Sequence, residues 1–448
     1  MVTIRSKTLL LCSCFLVAAW LLVAQTLNNI VVLAACLVCF LALVVWAAIK
    51  NTAMPVILFF MPFAPLLKLR PGTISFFTIA LLLVYAVYTV TGSRQVKVLH
   101  LVPALLLLAL TLVVKVAYGY DMDNTYILFA ITLLLIPFLT KELEGSYGFY
   151  WLTLCFALGI CLAAVTARYL TVFPTISRYI DVNTSLGMIR RSGYNGDPNF
   201  YSAHITCALG GVLILFLNNK KKYSWIPMVL IALVLLYCGL MSVSKSFWLV
   251  SICMVLLWFV DLLFRRGKMS VKVTLIMILI VALLFVLSST VFTDMLGEII
   301  ARFSKDNTIS DLTTGRSELW KSYLNAFMQD PLLLVFGQGY SDVMVNGRPP
   351  HNTIIQGVFQ FGLLGSLIML AWLIFFVRTM IGESKISWNH ASQLAIVMIG
   401  AFGPWMALDY LFFDEFFLMP IYVCAAIRFL HRQQQEASPL INEQSVVM

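Results

Sequence analysis

Few side chains in this sequence could do chemistry, and most lie in two stretches. His351 stands in Pro350–His351–Asn352, ahead of an apolar run that begins at Thr353. Asn352 suits the N-cap of that helix. A helix N-terminus disfavours imidazolium, so His351 is expected to be neutral and able to accept a proton. Arg316 follows Thr313, Thr314 and Gly315. Leu319, Trp320, Tyr323, Leu324 and Phe327 recur after it with helical spacing, up to a stop at Asp330–Pro331. Free N–H groups at such a helix start favour an anion. Arg316 adds a bidentate phosphate donor, and Gly315 allows a ligand close to the backbone. Arg190–Arg191 precede Gly193, Gly196 and Asp197–Pro198–Asn199, which mark a defined turn. Asp197 and Asn199 are also ordinary helix-start residues for the run from Phe200; local structure gives no such reason for the paired arginines.

The candidate catalytic residues are therefore His351, Arg316 and Arg191. Arg190, Asp197, Asn199, Gly315, Lys245 and Asn352 are candidates for substrate binding, with no metal and no cofactor. Lys245, within Ser244–Lys245–Ser246, is either an interfacial lysine beside a helix cap or a ligand contact. Asp121 and Asp123 read as a solvated turn rather than a metal site. His204, one turn inside an apolar run, reads as a buried, hydrogen-bonded histidine. Gln356 and Gln360 share a helix face, and Gly357, Gly362 and Gly365 permit close helix packing.

What positions these residues is a membrane. Hydrophobic residues make up 61% of the 448 and charged residues only 11%, against about 45–50% and 25% in soluble domains. Mean hydropathy is +0.94. Too few charges exist to cover a water-soluble surface, which excludes a soluble enzyme, a nucleic-acid-binding protein and a disordered chain. The ten cysteines all fall within apolar runs; Cys36 and Cys39 have C-x-x-C spacing but lack the polar neighbours that metal or redox work needs.

Apolar segments begin near Thr8, Ile30, Ala53, Ser75, Leu101, Ile127, Phe149, Phe200, Trp225, Phe247, Val271, Thr353, Ala391 and Glu415. Those from Ala53 and Ile127 are short for a bilayer and read as re-entrant or tilted, so the count is twelve to fourteen. The expected fold is all-α: one integral membrane domain over residues 1–448. Its outer loops run over residues 168–199 and 291–350, the second carrying an amphipathic helix on the bilayer or on the bundle. The first run, after Arg5 and Lys7, reads as an uncleaved anchor, and residues 431–448 as a cytoplasmic tail. With the N-terminus inside, seventeen of the thirty Lys and Arg fall on inner connections and termini, and three on short outer loops. That bias places both termini in the cytoplasm. Nine further positives sit in the two long outer segments, unforced by topology, and an anionic ligand there is their natural reason.

Three pieces, in this order, resemble one family: the arginines followed by Asp197–Pro198–Asn199; Thr314–Gly315–Arg316 followed by Trp320; and Pro350–His351–Asn352 followed by Phe361–Gly362–Leu363–Leu364–Gly365. Together they look like the O-antigen ligase and polymerase superfamily, most strongly from about Arg190 to Leu370. The resemblance implies a metal-independent, inverting membrane glycosyltransferase of the lipid-sugar-using class. It implies a polyprenyl diphosphate-linked glycan as donor at the outer face of the plasma membrane, and a glycan or lipid as acceptor. It also implies membrane lipids and a chain-length regulator as partners, with no nucleic acid. Diphosphate-binding arginines map to Arg191 or its neighbour Arg190, and to Arg316; the loop histidine maps to His351. Polymerase is the first reading, ligase to lipid A-core or protein the second. A lipid-sugar flippase fits less well, because transporters place ionisable groups near the bilayer midplane.

Overall fold

The computed structural model describes residues 4–70, 72–91, 96, 98–139, 148–180, 190–219, 225–264, 297 and 315–445. Among them every regular element is a helix: α1 (Ile4–Leu27), α2 (Ile30–Ile49), α3 (Ala53–Phe60), α4 (Phe76–Thr91), α5 (Val98–Tyr118), α6 (Asn124–Leu135), α7 (Phe149–Tyr169), α8 (Pro198–Leu217), α9 (Trp225–Met241), α10 (Lys245–Phe264), α11 (Arg316–Gln329), α12 (Pro331–Phe336), α13 (Thr353–Ile381), α14 (Ala391–Phe402) and α15 (Glu415–Ser445), with short 3-10 turns between some of them. Seven of these, α1, α2, α5, α7, α8, α10 and α13, are long and apolar enough to cross a membrane. Five shorter apolar helices, α3, α4, α6, α9 and α14, complete the bundle. The chain is a polytopic helical membrane protein. The expected span from Val271, the clusters Lys220–Lys222 and Arg265–Arg266, the first part of the loop from Val291 with Arg302 and Lys305, and Thr313 and Thr314 lie outside the described residues.

The two short segments share a cause. α3 passes into a 3-10 turn, Met61–Leu66, that contains Pro62 and Pro65. α6 passes into Ile136–Leu139, with Pro137. Proline lacks the N–H that an α-helix needs, so each helix stops short. All eight residues of α3 are buried, and Gly159 of α7 lies against the Phe59 backbone. α3 is therefore enclosed by protein, which is how a short helix is tolerated at membrane depth.

α8 is the axis of the bundle, buried along nearly its whole length and packed by α7, α9, α10 and α14. Close approach to α14 comes through small residues: a side chain on Gly400 would meet the Thr206 carbonyl, and the Thr206 hydroxyl donates to the Gly400 carbonyl at 2.9 Å. α11 turns Leu319, Tyr323 and Phe327 onto Phe359 of α13, with the Tyr323 and Phe359 rings edge to face at 4.9 Å. Leu324 and Met328 face outward. α11 thus lies on the bundle, and its outer side mixes Leu324 and Met328 with Glu318, Lys321, Asn325 and Gln329. α13 is broken at Gly362, whose φ of +64° only glycine adopts readily. There it meets the backbone of Val335–Phe336, and Gly337 reciprocally meets Gly362. Gly365 packs against Phe361 and α5, as its spacing suggests. Gly357 does not: a side chain there would meet open space, so the expectation of close packing is corrected at that position.

Candidate functional site

The site is assembled at one end of the bundle by four segments far apart in sequence. The first is residues 190–197 with the start of α8. Asp197 caps α8, its Oδ1 accepting the Asn199 N–H at 2.6 Å. Asn199 Oδ1 accepts from Arg190 Nη2 at 3.1 Å and from the Ser244 hydroxyl at 2.9 Å. Arg190 Nε also donates to the Ser242 carbonyl at 3.1 Å. Arg190, Asn199 and Ser244 therefore tie the α8 start to the turn between α9 and α10, and Lys245 opens α10 beside that knot. Arg191 is fixed by its backbone N–H, which donates to the Met241 carbonyl at 3.0 Å. Among the described residues its guanidinium has no hydrogen-bond partner. The adjacent arginines thus differ: one is committed to the scaffold, the other is half-buried with its charge uncommitted.

The second segment is the start of α11. Gly315 caps it with a φ of +76° and open space where a side chain would project. Arg316, half-buried, follows at once. Burial pulls its guanidinium below the usual range, while the carboxylates of Asp197 and then Asp409 push the other way. A guanidinium starts so high that it stays charged. Arg316 thus sits in the field of two carboxylates from two other segments. Trp320 Nε1 donates to the Pro350 carbonyl at 2.9 Å and Tyr323 donates to the Arg348 carbonyl at 2.7 Å, which pins α11 to the histidine loop.

The third and fourth segments meet at His351. Asn352 caps α13, accepting from the N–H groups of Ile354 and Ile355 at 3.0 and 3.2 Å. His351 itself has a φ of +48°, a left-handed conformation that a bulky residue rarely holds. Asp409 holds it there. Its Oδ2 accepts the His351 backbone N–H at 3.0 Å and also lies 3.0 Å from His351 Nδ1, while Oδ1 accepts the Asn352 N–H at 3.2 Å. An ionised carboxylate only accepts, so Nδ1 carries the proton and Nε2 is the basic nitrogen. The Asp409 side chain is 10% exposed and that of His351 39%: the carboxylate is sheltered and the imidazole is accessible. The Asp409 loop is anchored by Thr353, whose hydroxyl donates to the Leu408 carbonyl at 2.7 Å, and by Gln356, which accepts the Leu411 N–H at 3.1 Å.

Sequence reasoning missed Asp409. Its signal is a lone carboxylate within the apolar stretch 405–413, between two spans. Lys115, in the last turn of α5, is a second such residue. It is fully buried, donates to the Tyr340 carbonyl at 3.0 Å and lies over the Tyr126 ring at 5.4 Å. It fixes the loop after α12, as does Gln360, which makes two bonds to the Ser341 backbone. His204 is buried as expected, between Asn195 at 3.1 Å and Glu415 Oε1 at 2.9 Å. Asp123 caps α6 through the Tyr126 N–H at 2.7 Å, so one member of the acidic pair is committed to a helix end.

A family model described as O-antigen ligase matches residues 230–370, a stretch that contains Arg316, His351 and the Gly362 break and leaves out residues 190–199. No curated protein and no solved structure matches the chain. The matched stretch of this helical membrane protein is thus similar to the O-antigen ligase family, in agreement with the resemblance seen in the sequence.

Proposed function

We propose that the chain transfers a glycan repeat from a polyprenyl diphosphate carrier to the hydroxyl of an acceptor glycan, at the outer face of the plasma membrane, in one inverting step without a metal. The observation that carries this reading is His351, oriented by Asp409, beside an arginine that Asp197 and Asp409 both influence. As the acceptor oxygen bonds to the anomeric carbon, its proton passes to His351 Nε2. The bond from that carbon to the diphosphate oxygen breaks, and the electron pair leaves with the diphosphate. Arg316 and Arg191 stabilise the departing charge in a sheltered setting, where such contacts count most. A sugar hydroxyl is far less acidic than imidazolium, so His351 takes the proton only as the new bond forms; such help is typically worth about 10²–10⁴-fold. Attack and departure on opposite sides of the anomeric carbon give inversion. Arg190, Asn199 and Asn352 shape the site, since their polar groups are used within the protein, and Gly315 keeps the approach to the α11 start open.

Replacing Arg316 by Ala tests the diphosphate role. Losing a charge-assisted contact in the transition state should cost about 2–4 kcal/mol, or roughly 30- to 1,000-fold in rate. Lys at position 316 should rescue only part of this, since it lacks the planar fork. Normal turnover of lipid-linked donor by purified Arg316→Ala protein would remove the assignment. Polymerase is the form of the reaction we favour. Cells deleted for the chain should then display single unpolymerised repeats, whereas accumulation of long chains on the carrier would make it a ligase.

A further inference from the structure

Between the start of α8 and the segment that follows Asp409 lies a cavity of about 470 Å³, within the roughly 300–1,000 Å³ usual for small-molecule sites. It shares two walls with the site already described. Asp197 lines it while acting on Arg316, and the chain that carries Asp409 continues as Leu411–Asp414 into its wall. Its chemistry differs from that of the arginine side. Three carboxylates face it, from Asp197, Asp414 and Glu415, against one cation, Lys68. Each carboxylate uses one oxygen inside the protein: Asp197 on the Asn199 N–H, Asp414 on the Thr78 hydroxyl at 2.9 Å, Glu415 on His204 at 2.9 Å. The other oxygens accept no hydrogen bond from the described residues. Much of the remaining lining is apolar and rich in aromatic residues, Phe129, Phe200 and Tyr340 among them.

A diphosphate would be repelled by this lining, and an isoprenoid chain would strand its carboxylates without partners. A hydroxyl-rich ring satisfies both halves of it: hydroxyls donate to the carboxylates, and the C–H face covers an aromatic ring. We propose that this cavity holds the acceptor glycan, and that it selects sugars that are uncharged or carry an amine over sugars that carry a carboxylate. The inference rests on the reading of the adjoining arginine–histidine site as a glycosyltransferase centre. Burial and the neighbouring Glu415 push the Asp414 carboxyl up to about 7, so Asp414 can also donate to a sugar oxygen near neutral pH.

The test uses the purified full-length chain and two probes: polyprenyl diphosphate without sugar, and the glycan released by mild acid from the lipid-linked repeats of cells lacking the chain. Wild type should bind both. Leu128→Trp fills the cavity from its half-buried wall. It should weaken glycan binding tenfold or more and leave diphosphate binding within twofold. Thr125→Trp, on the same helix, should do likewise and serves if the first variant does not fold. Arg316→Ala should show the reverse pattern. Oxidising the glycan's primary alcohols to carboxylates should abolish its binding. Unchanged glycan binding in both filled variants, or equal binding of the oxidised glycan, overturns the inference. A wild type that binds glycan but not polyprenyl diphosphate would instead overturn the functional reading of the arginine site.

Discussion

At the scale of single residues, Asp409 is what fixes His351 in place. The carboxylate holds a strained backbone and fixes which imidazole nitrogen carries the proton. Asp409→Asn leaves an acceptor for one backbone N–H but turns an amide donor toward Nδ1. The imidazole then flips its tautomer, and Nε2 loses the lone pair that takes the proton. This variant should lose about as much turnover as His351→Ala, roughly 10²–10⁴-fold, while still binding polyprenyl diphosphate. Because the two residues act as a unit, the double variant should be no slower than His351→Ala alone. Additive losses in that comparison would show that Asp409 only braces the loop. His351→Gln separates the same roles from the other side: a base assignment predicts loss across pH 6 to 8, whereas a capping role predicts retention.

At the scale of elements, the sequence told much about helices and little about how their ends meet. Helix caps at Asp197 and Asn352 are local, since the capping oxygen and the N–H groups it satisfies lie within three residues. Periodicity likewise located α11 from five apolar residues. Asp409 and His351 are 58 positions apart and Lys115 and Tyr340 are 225 apart, and no spacing rule connects such pairs. The difference between Arg190 and Arg191 was hidden for the same reason: Arg190 is held by Ser242, in the turn between α9 and α10. Gly362 shows the limit in a different way. Its spacing suggested a smooth packing stripe, yet it breaks α13 and admits the backbone of α12. Gly362→Ala should cost about 1–3 kcal/mol from backbone strain alone, with the clash added. It should visibly lower the thermal midpoint in detergent. Gly357→Ala, on the same helix but facing open space, should be neutral or slightly stabilising. Equal effects of the two would mean that the break carries no structural weight.

At the scale of the whole molecule, charge and geometry bear on the same question from independent sides. By the distribution of Lys and Arg, the connections after α2, α4 and α13 are expected inside and those after α3, α5 and α7 outside. The structure uses no charge rule, yet it brings residues 190–199, the start of α11, His351 and the Asp409 loop together. All of these are segments that the charge count assigns to one side. The charge count assigns Lys385 to the other side; it sits in an exposed loop where its backbone meets His431 of α15. A lipid-linked donor presented at the outer face can reach the site only if this orientation holds. Single cysteines at positions 321 and 385, on a background with the ten native cysteines replaced, decide the matter with a membrane-impermeant thiol reagent. Lys321→Cys, exposed on α11, should label in cells whose outer membrane has been made permeable, and Lys385→Cys only after lysis. The reverse pattern would turn His351 and Arg316 toward the cytoplasm. A carrier already moved to the outer face would then be out of reach, and outer-face transfer would fail whatever the chemistry of the site.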